Sequence, residues 1–329
     1  MNQTYDVLAI GNAIVDVIVA APPEFLSERD IAKGSMRLIS AEEAETLYAA
    51  MGPGREISGG SAANTVVGMA MLGARPAFVG RVARDQLGEV FTHDIRAAGV
   101  DFTTAPSAGG NPTGRCLIVV TPDGDRTMNT YLGACQELTM ADLDAAMIAA
   151  SGMLYLEGYL WDPPAPRAAM ETAIAVARSA GRKVAMTLSD VFCVEGHRAD
   201  FQRLLAGHVD LMFANENEAC ALYQTRDLTA AIAELRQHSA ITVITRSEKG
   251  AVVVANGETH VVAAETPARV LDTTGAGDLF AGGFMAALVQ GRSLPDCATA
   301  GCVAAAEVIS HYGARPEADL QALVKARLG

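Results

Sequence analysis

Basic residues are scarce in this chain. Twenty-five lysines and arginines stand against 38 acids, a net charge of -13. A surface of that sign repels phosphate backbones, which argues against nucleic acid as the main partner. The six cysteines (Cys116, Cys135, Cys193, Cys220, Cys297, Cys302) form no C-x-x-C pair, and no histidine has metal-ligand spacing. They read as reduced thiols of a cytoplasmic protein. The N-terminus "MNQTYDVLAIGNAIVDVIVA" lacks a basic leader, and Asp6 and Asp16 interrupt its apolar run. It therefore reads as a first strand, neither signal peptide nor membrane span. Missing too are a G-x-x-x-x-G-K-[ST] loop, a G-x-G-x-x-G after the first strand, a serine elbow and an H-E-x-x-H helix. P-loop, dinucleotide, serine-hydrolase and zinc-protease chemistries lose their support.

What is present is alternation. Apolar runs at 5–11, 76–80, 152–158, 183–189, 209–215 and 241–246 are bounded by Gly, Pro or polar residues. Between them "SAANTVVGMAMLG", "QLGEVFTHDIRAAG", "PRAAMETAIAVARSAG" and "LTAAIAELRQHS" carry helical periodicity. The pattern predicts an α/β fold, a mostly parallel sheet with helices on both faces and ligands at the carboxyl ends of the strands. Segments 12–40 and 100–133 break the rhythm. The second holds two β-runs joined by Pro-Asp-Gly-Asp, a hairpin signal. We expect these segments to pair into a small sheet acting as a lid on a single domain spanning 1–329.

The stretch "DTTGAGDLFAGGF" (272–284) follows an apolar run expected to be a strand ending near Leu271, and opens a helix expected to begin near Ala276. A helix start is electropositive and carries unpartnered amides. Gly275 and Gly277 leave those amides open to an anion. Gly282 and Gly283, inside the helix, imply close approach of a backbone or ligand. A carboxylate at such a place, Asp278, is useful where a substrate hydroxyl must lose a proton to attack a phosphoryl group. The alternative is structural: Asp272 or Asp278 caps the helix and the glycines shape a turn. In the same way Asn64 either serves a ligand or supports a helix start capped by Ser61.

These motifs resemble a known family. "DTTGAGDLFAGGF" is similar to the C-terminal signature of the ribokinase-like sugar and nucleoside kinases, the phosphofructokinase B family, and "GGSAANTVVGMAMLGARPAFVGRVARDQLGE" (59–89) to the N-terminal one. "NENE" lies between them, so the resemblance covers essentially the whole chain. It implies a ribokinase-like three-layer α/β/α fold and an ATP- and Mg²⁺-dependent kinase of a primary hydroxyl. Asp278 would be the general base, and the amides of Gly275, Ala276 and Gly277 the anion hole. Arg126, on the lid hairpin, would reach the transferring phosphate. Asp16, Gly59, Gly60 and Asn64 match positions that hold substrate hydroxyls. Asn215 and Glu218 match the N-x-x-E motif that influences Mg²⁺ through water. Thr245, Ser247 and Gly250 fall in the loop that contacts ATP, while Asp272 and Thr274 fall where some members bind a monovalent cation such as K⁺.

Within that family several stretches are similar to adenosine kinase segments: "GNAIVD", "PTGRCLIVVTPDGDRTMNTYLGA", "TLSDVF" and "FANENEA". Asn12 and Asp16 would then sit near a nucleoside, with Tyr159 or Trp161 stacking on its base. The expectation is phosphorylation of the 5'-type hydroxyl of a nucleoside, adenosine foremost. The alternatives are a sugar kinase acting on ribose, fructose or 2-keto-3-deoxygluconate, and a non-catalytic nucleoside- or sugar-binding regulatory protein. Either a monomer or a homodimer fits the resemblance.

Overall fold

The computed structural model describes residues 4–238 and 240–329. In chain order its strands are β1 (Tyr5–Ile10), β2 (Ile14–Ala20), β3 (Met36–Leu38), β4 (Arg55–Gly59), β5 (Pro76–Val79), β6 (Asp101–Phe102), β7 (Gly114–Val120), β8 (Arg126–Tyr131), β9 (Ser151–Glu157), β10 (Lys183–Thr187), β11 (Leu211–Asn215), β12 (Ile241–Thr245), β13 (Ala251–Ala255) and β14 (Glu258–Val262). They form two sheets. The larger runs β14-β13-β12-β11-β10-β9-β1-β5-β6, parallel from β12 to β6 and closed at the far edge by the antiparallel pair β13 and β14.

Strands buried on both faces need apolar residues at consecutive positions rather than alternate ones. Val7, Leu8, Ala9 and Ile10 are such a run, none of them reaching solvent. One face packs against helices 164–179, 191–205 and 228–235 through Met170, Phe201 and Leu235; the other packs against helices 61–71, 276–289 and 294–308 through Met69, Phe284 and Ala298. The result is the three-layer α/β/α architecture of the ribokinase-like fold. Gly282 and Gly283 permit the second of these layers to close. A Cβ on Gly282 would stand 2.6 Å from the Thr65 carbonyl oxygen, and one on Gly283 2.6 Å from that of Ala300. The close approach expected from these glycines is therefore between backbones.

The smaller sheet has the order β3-β8-β7-β2-β4. The Pro-Asp-Gly-Asp turn joins β7 to antiparallel β8, with Thr121 N–H donating to Asp125 O at 2.9 Å. Residues 12–40 and 100–133 supply four of its strands. The fifth, β4, comes from "REISG", where flanking glycines and charge hide the strand signal in sequence. β13 and β14 add to the large sheet a hairpin that is not among the expected strands, turned at Asn256 (φ 52°) and Gly257 (φ 78°). One further reading is corrected. No strand precedes Gly275: residues 263–275 follow an irregular path, held where the amides of Leu271 and Asp272 reach Ile309 O. Val270 is exposed there and has no neighbouring strand to pair with. Among the described residues no helix is long and apolar enough to cross a membrane.

Candidate active site

A cavity of about 580 Å³ lies between the sheets, at the carboxyl ends of β9, β10, β11 and β12. Glu157, Thr187, Asn215 and Thr245, the last residues of those strands, all line it. Two helices point their N-termini at it. Helix 276–289 starts after Gly275, whose φ of 78° turns the chain into the helix, and Gly275, Ala276, Gly277 and Asp278 all line the cavity. Asp278 is held from the other helix: Ser61 Oγ donates to one carboxylate oxygen at 2.7 Å and Asn64 Nδ2 to the other at 3.0 Å. It caps nothing. Ser61 is no cap either: the cap position of helix 61–71 is Gly60, and the Ser61 hydroxyl is given to Asp278. Burial raises the Asp278 pKa, and the two donors and the Arg315 guanidinium oppose that rise. A group tuned in this way has more proton affinity than an exposed aspartate yet keeps partners for its charged form.

Asp16 faces the same space from β2. A Cβ on Gly59 would come within 2.7 Å of its carboxylate, and one on Gly60 (φ 100°) within 2.1 Å of Asn12 O, so both glycines make room for this corner. Burial pushes Asp16 up to about 6, against the pull of Arg315 and Arg126. Asn12 lines the cavity beside it.

Sequence reasoning missed Glu157. This carboxylate is wholly buried, accepting from Asn12 N at 2.8 Å, Asn12 Nδ2 at 2.5 Å and Ala62 N at 2.9 Å. It ties the crossover between the sheets to the start of helix 61–71. Burial pushes its pKa up to about 7, opposed by the amides of Ala62 and Asn12. The one available signal was an acid ending an otherwise apolar strand, "GMLYLEG". Arg315, in a loop without a motif, gave none.

Arg126 forms a buried ion pair with Asp272 and donates to Thr274 Oγ1 at 2.7 Å, next to Gly275. Its Nε and Nη2 are buried and have no partner. Asp272 also accepts from the amides of Thr274 (3.0 Å) and Gly313 (2.8 Å). Neither Arg126 nor Asp272 lines the cavity directly, whereas Thr274 does.

On the opposite bank Asn215 caps helix 216–222 and Glu218 closes the box. Glu218 accepts from Asn215 N at 3.0 Å and Nδ2 at 2.6 Å, and burial pushes its pKa up to about 7. Among the described residues no three His, Cys, Asp or Glu side chains gather as a metal cage. One engaged carboxylate and one amide fit a hydrated ion held through water and phosphate oxygens rather than a directly ligated one. Thr245 lines the cavity, while Ser247 (φ 51°) and Gly250 (φ 82°) shape the tight loop just beyond it, closed by Arg246 N–H donating to Gly250 O at 2.8 Å.

The two aromatic candidates part company. Trp161 is fully buried, its Nε1 donating to Asp200 at 3.2 Å and its ring against Phe201, so it is removed from the site. Tyr159 lines the cavity with its ring centroid 5.9 Å from that of Phe192. Met36 and Leu38 of β3 face them across the opening, exposed despite their size.

Fold and site together define a kinase that transfers a phosphoryl group to a hydroxyl. The chain belongs to the pfkB family of carbohydrate kinases, whose model matches residues 33–320. It is 50% identical to the structure of adenosine kinase from Sinorhizobium meliloti, covering 98% of this chain and 99% of that one at a TM-score of 0.91. It is 48% identical to a probable sugar kinase protein from Rhizobium etli CFN 42, covering 99% of each chain at a TM-score of 0.92. Adenosine kinase 2 of Arabidopsis thaliana is 27% identical over 95% of this chain and 96% of its own. The protein is a nucleoside or sugar kinase of the adenosine kinase-like kind, and kinases of this family use ATP, typically with Mg²⁺.

Proposed function

We propose that this kinase transfers the γ-phosphoryl group of ATP to the 5'-type primary hydroxyl of a nucleoside, adenosine foremost. The observation that carries the reading is Asp278, fixed by Ser61 and Asn64 at the head of a helix whose first residues line the same cavity. The substrate's sugar hydroxyls lie on Asp16, Asn12 and Asn64, beside the bare backbone at Gly59 and Gly60. Its base lies between Tyr159 with Phe192 on one bank and Met36 with Leu38 on the other. That apolar end gives a nucleoside a surface that a free sugar cannot use.

With the primary hydroxyl aimed at Asp278, the carboxylate takes the proton as the oxygen attacks the γ-phosphorus and the bond to the β,γ-bridging oxygen breaks, releasing ADP. The amides of Gly275 and Gly277 receive charge on the transferring group, and that of Ala276, which donates to Thr273 O at 3.2 Å, joins them by turning from that contact. Arg126, hydrogen-bonded to Thr274 and with Nε and Nη2 unengaged, adds positive charge there. ATP extends toward Thr245, with Ser247 and Gly250 shaping the loop behind it. Asn215 and Glu218 would hold Mg²⁺ through water, and the ion would supply neutralisation of phosphate charge there. A monovalent cation at Asp272 and Thr274 has to use their backbone oxygens, because the Asp272 carboxylate is engaged by Arg126. The small sheet acts as the lid of this single domain and excludes water on closing.

The test is ADP release with ATP and Mg²⁺ across adenosine, inosine, ribose, fructose and 2-keto-3-deoxygluconate, with Asp278→Asn in parallel. Turnover on adenosine, lowered by roughly 10²-fold or more in the variant with ATP affinity nearly intact, is the expected result. Turnover on a free sugar in preference keeps the mechanism and replaces the substrate. Silence on all of them, with nucleoside binding retained, favours a regulatory binding protein.

A further inference from the structure

The loop after helix 294–308 sends Arg315 inward beneath the site. Its Nη2 donates to Ser58 O at 2.5 Å and to Ser58 Oγ at 2.7 Å, and its Nη1 to Ala63 O at 3.5 Å. Ser58 is itself gripped by Asp94, which accepts from its amide at 2.8 Å and its hydroxyl at 2.5 Å. One guanidinium thus spans the end of β4 and the first turn of helix 61–71. Between those anchors lie Gly59, Gly60 and Ser61, the corner that faces Asp16 and holds Asp278. Nε is buried and without a partner, so the fork is placed for its Nη contacts and its charge.

We propose that Arg315 is a positioning residue that pins the Ser58–Ala63 corner and supplies the fixed positive charge against which Asp278 and Asp16 work. A residue needed only for packing has no reason to bring a half-buried cation here, since drawing one out of water is costly without compensation. The compensation comes from the Ser58 and Ala63 oxygens together with the field of three acids on three elements, none of them in an ion pair with it: Asp94 on helix 86–97, Asp16 on β2 and Asp278 on helix 276–289. The other charged groups around the two carboxylates are Arg126 on β8, Asp272 and, beyond Asp278, Glu157. Arg126 favours the charged form of Asp16, but Arg315 is the larger influence on it and the cation acting on Asp278. Removing a positive charge destabilises a carboxylate, so both acids then hold their protons to higher pH.

This inference rests on the reading of Asp278 as the base, and its test separates the two. In protein labelled with ¹³C at aspartate carboxyls, with Asp278→Asn and Asp16→Asn identifying the signals, Arg315→Gln should move both titrations up by about one pH unit. The acid limb of kcat should move with them, with activity recovering at higher pH. Unmoved titrations in a folded Arg315→Gln protein overturn the inference whatever the turnover. Moved titrations with full turnover by Asp278→Asn sustain it and remove Asp278 from the base role. Should Arg315→Gln fail to fold, Arg315→Lys keeps the charge and loses the fork: unshifted titrations with a raised KM for the hydroxyl donor are expected, and titrations that rise overturn it.

Discussion

Three carboxylates around the cavity are disfavoured in their charged form by burial, and this has a consequence for stability. Asp16 is pushed to about 6, and Glu157 and Glu218 to about 7, whereas in the unfolded chain such groups titrate at about 4. The folded protein therefore binds these protons more tightly, and stability falls as pH rises between about 4 and 7. Thermal unfolding without ligand should show a higher Tm at pH 5.5 than at 7.5. Glu157→Gln should flatten that slope while lowering Tm at both pH values, since an amide cannot accept from both Asn12 and Ala62. A slope unchanged in the variant would remove Glu157 as a contributor. Neighbouring aromatics make a second contrast at this scale. Tyr159→Ala should raise the KM for nucleoside at least tenfold and spare the KM for ATP. Trp161→Phe, which leaves Asp200 without its indole partner, should lower Tm and leave both constants in place. Steady-state kinetics beside a melt of each variant separates the two.

Among the elements, the helices at the cavity are tuned to one another through missing side chains. Gly283→Ala sets a methyl against the Ala300 carbonyl, so helices 276–289 and 294–308 must part, at a cost of about 1–3 kcal/mol in chemical denaturation. Gly277→Ala, where a Cβ meets nothing within 4 Å, should leave stability within about 0.5 kcal/mol and act on turnover alone. Equal stability losses in the two would contradict this division. The same helices explain what sequence could tell. Gly-Ala-Gly-Asp, Gly-Gly-Ser-Ala-Ala-Asn and the six long β-runs are local patterns, and each lies where its pattern points. The β13–β14 hairpin was legible, since Asn256-Gly257 between two β-runs is a hairpin signal. β4 was not legible, because an edge strand among glycines takes its identity from the strand it pairs with. Glu157 and Arg315 stayed hidden for a related reason: their roles come from partners 95 and 257 residues away.

At the scale of the molecule, the lid role proposed for the small sheet requires the two sheets to move against each other yet keep the site aligned. They are joined by the crossover Gly11–Ala13, by Ser58 with Arg315, and by Arg126 with Asp272. The last pair is the most buried, with side-chain exposures of 8% and 2%. Removing one partner of such a pair leaves the other charge unpaired in a dry place, which costs about 3–5 kcal/mol, while removing both costs much less. Asp272→Asn alone should therefore destabilise the protein more than Arg126→Met with Asp272→Asn together, and chemical denaturation of the four proteins in a double-mutant cycle reads the difference. Catalysis should behave differently. If Arg126 also meets the transferring phosphate, the double variant recovers stability and not kcat, so the two measurements part. A double variant that recovers both would assign the pair to holding the sheets together and leave the anion hole to its amides.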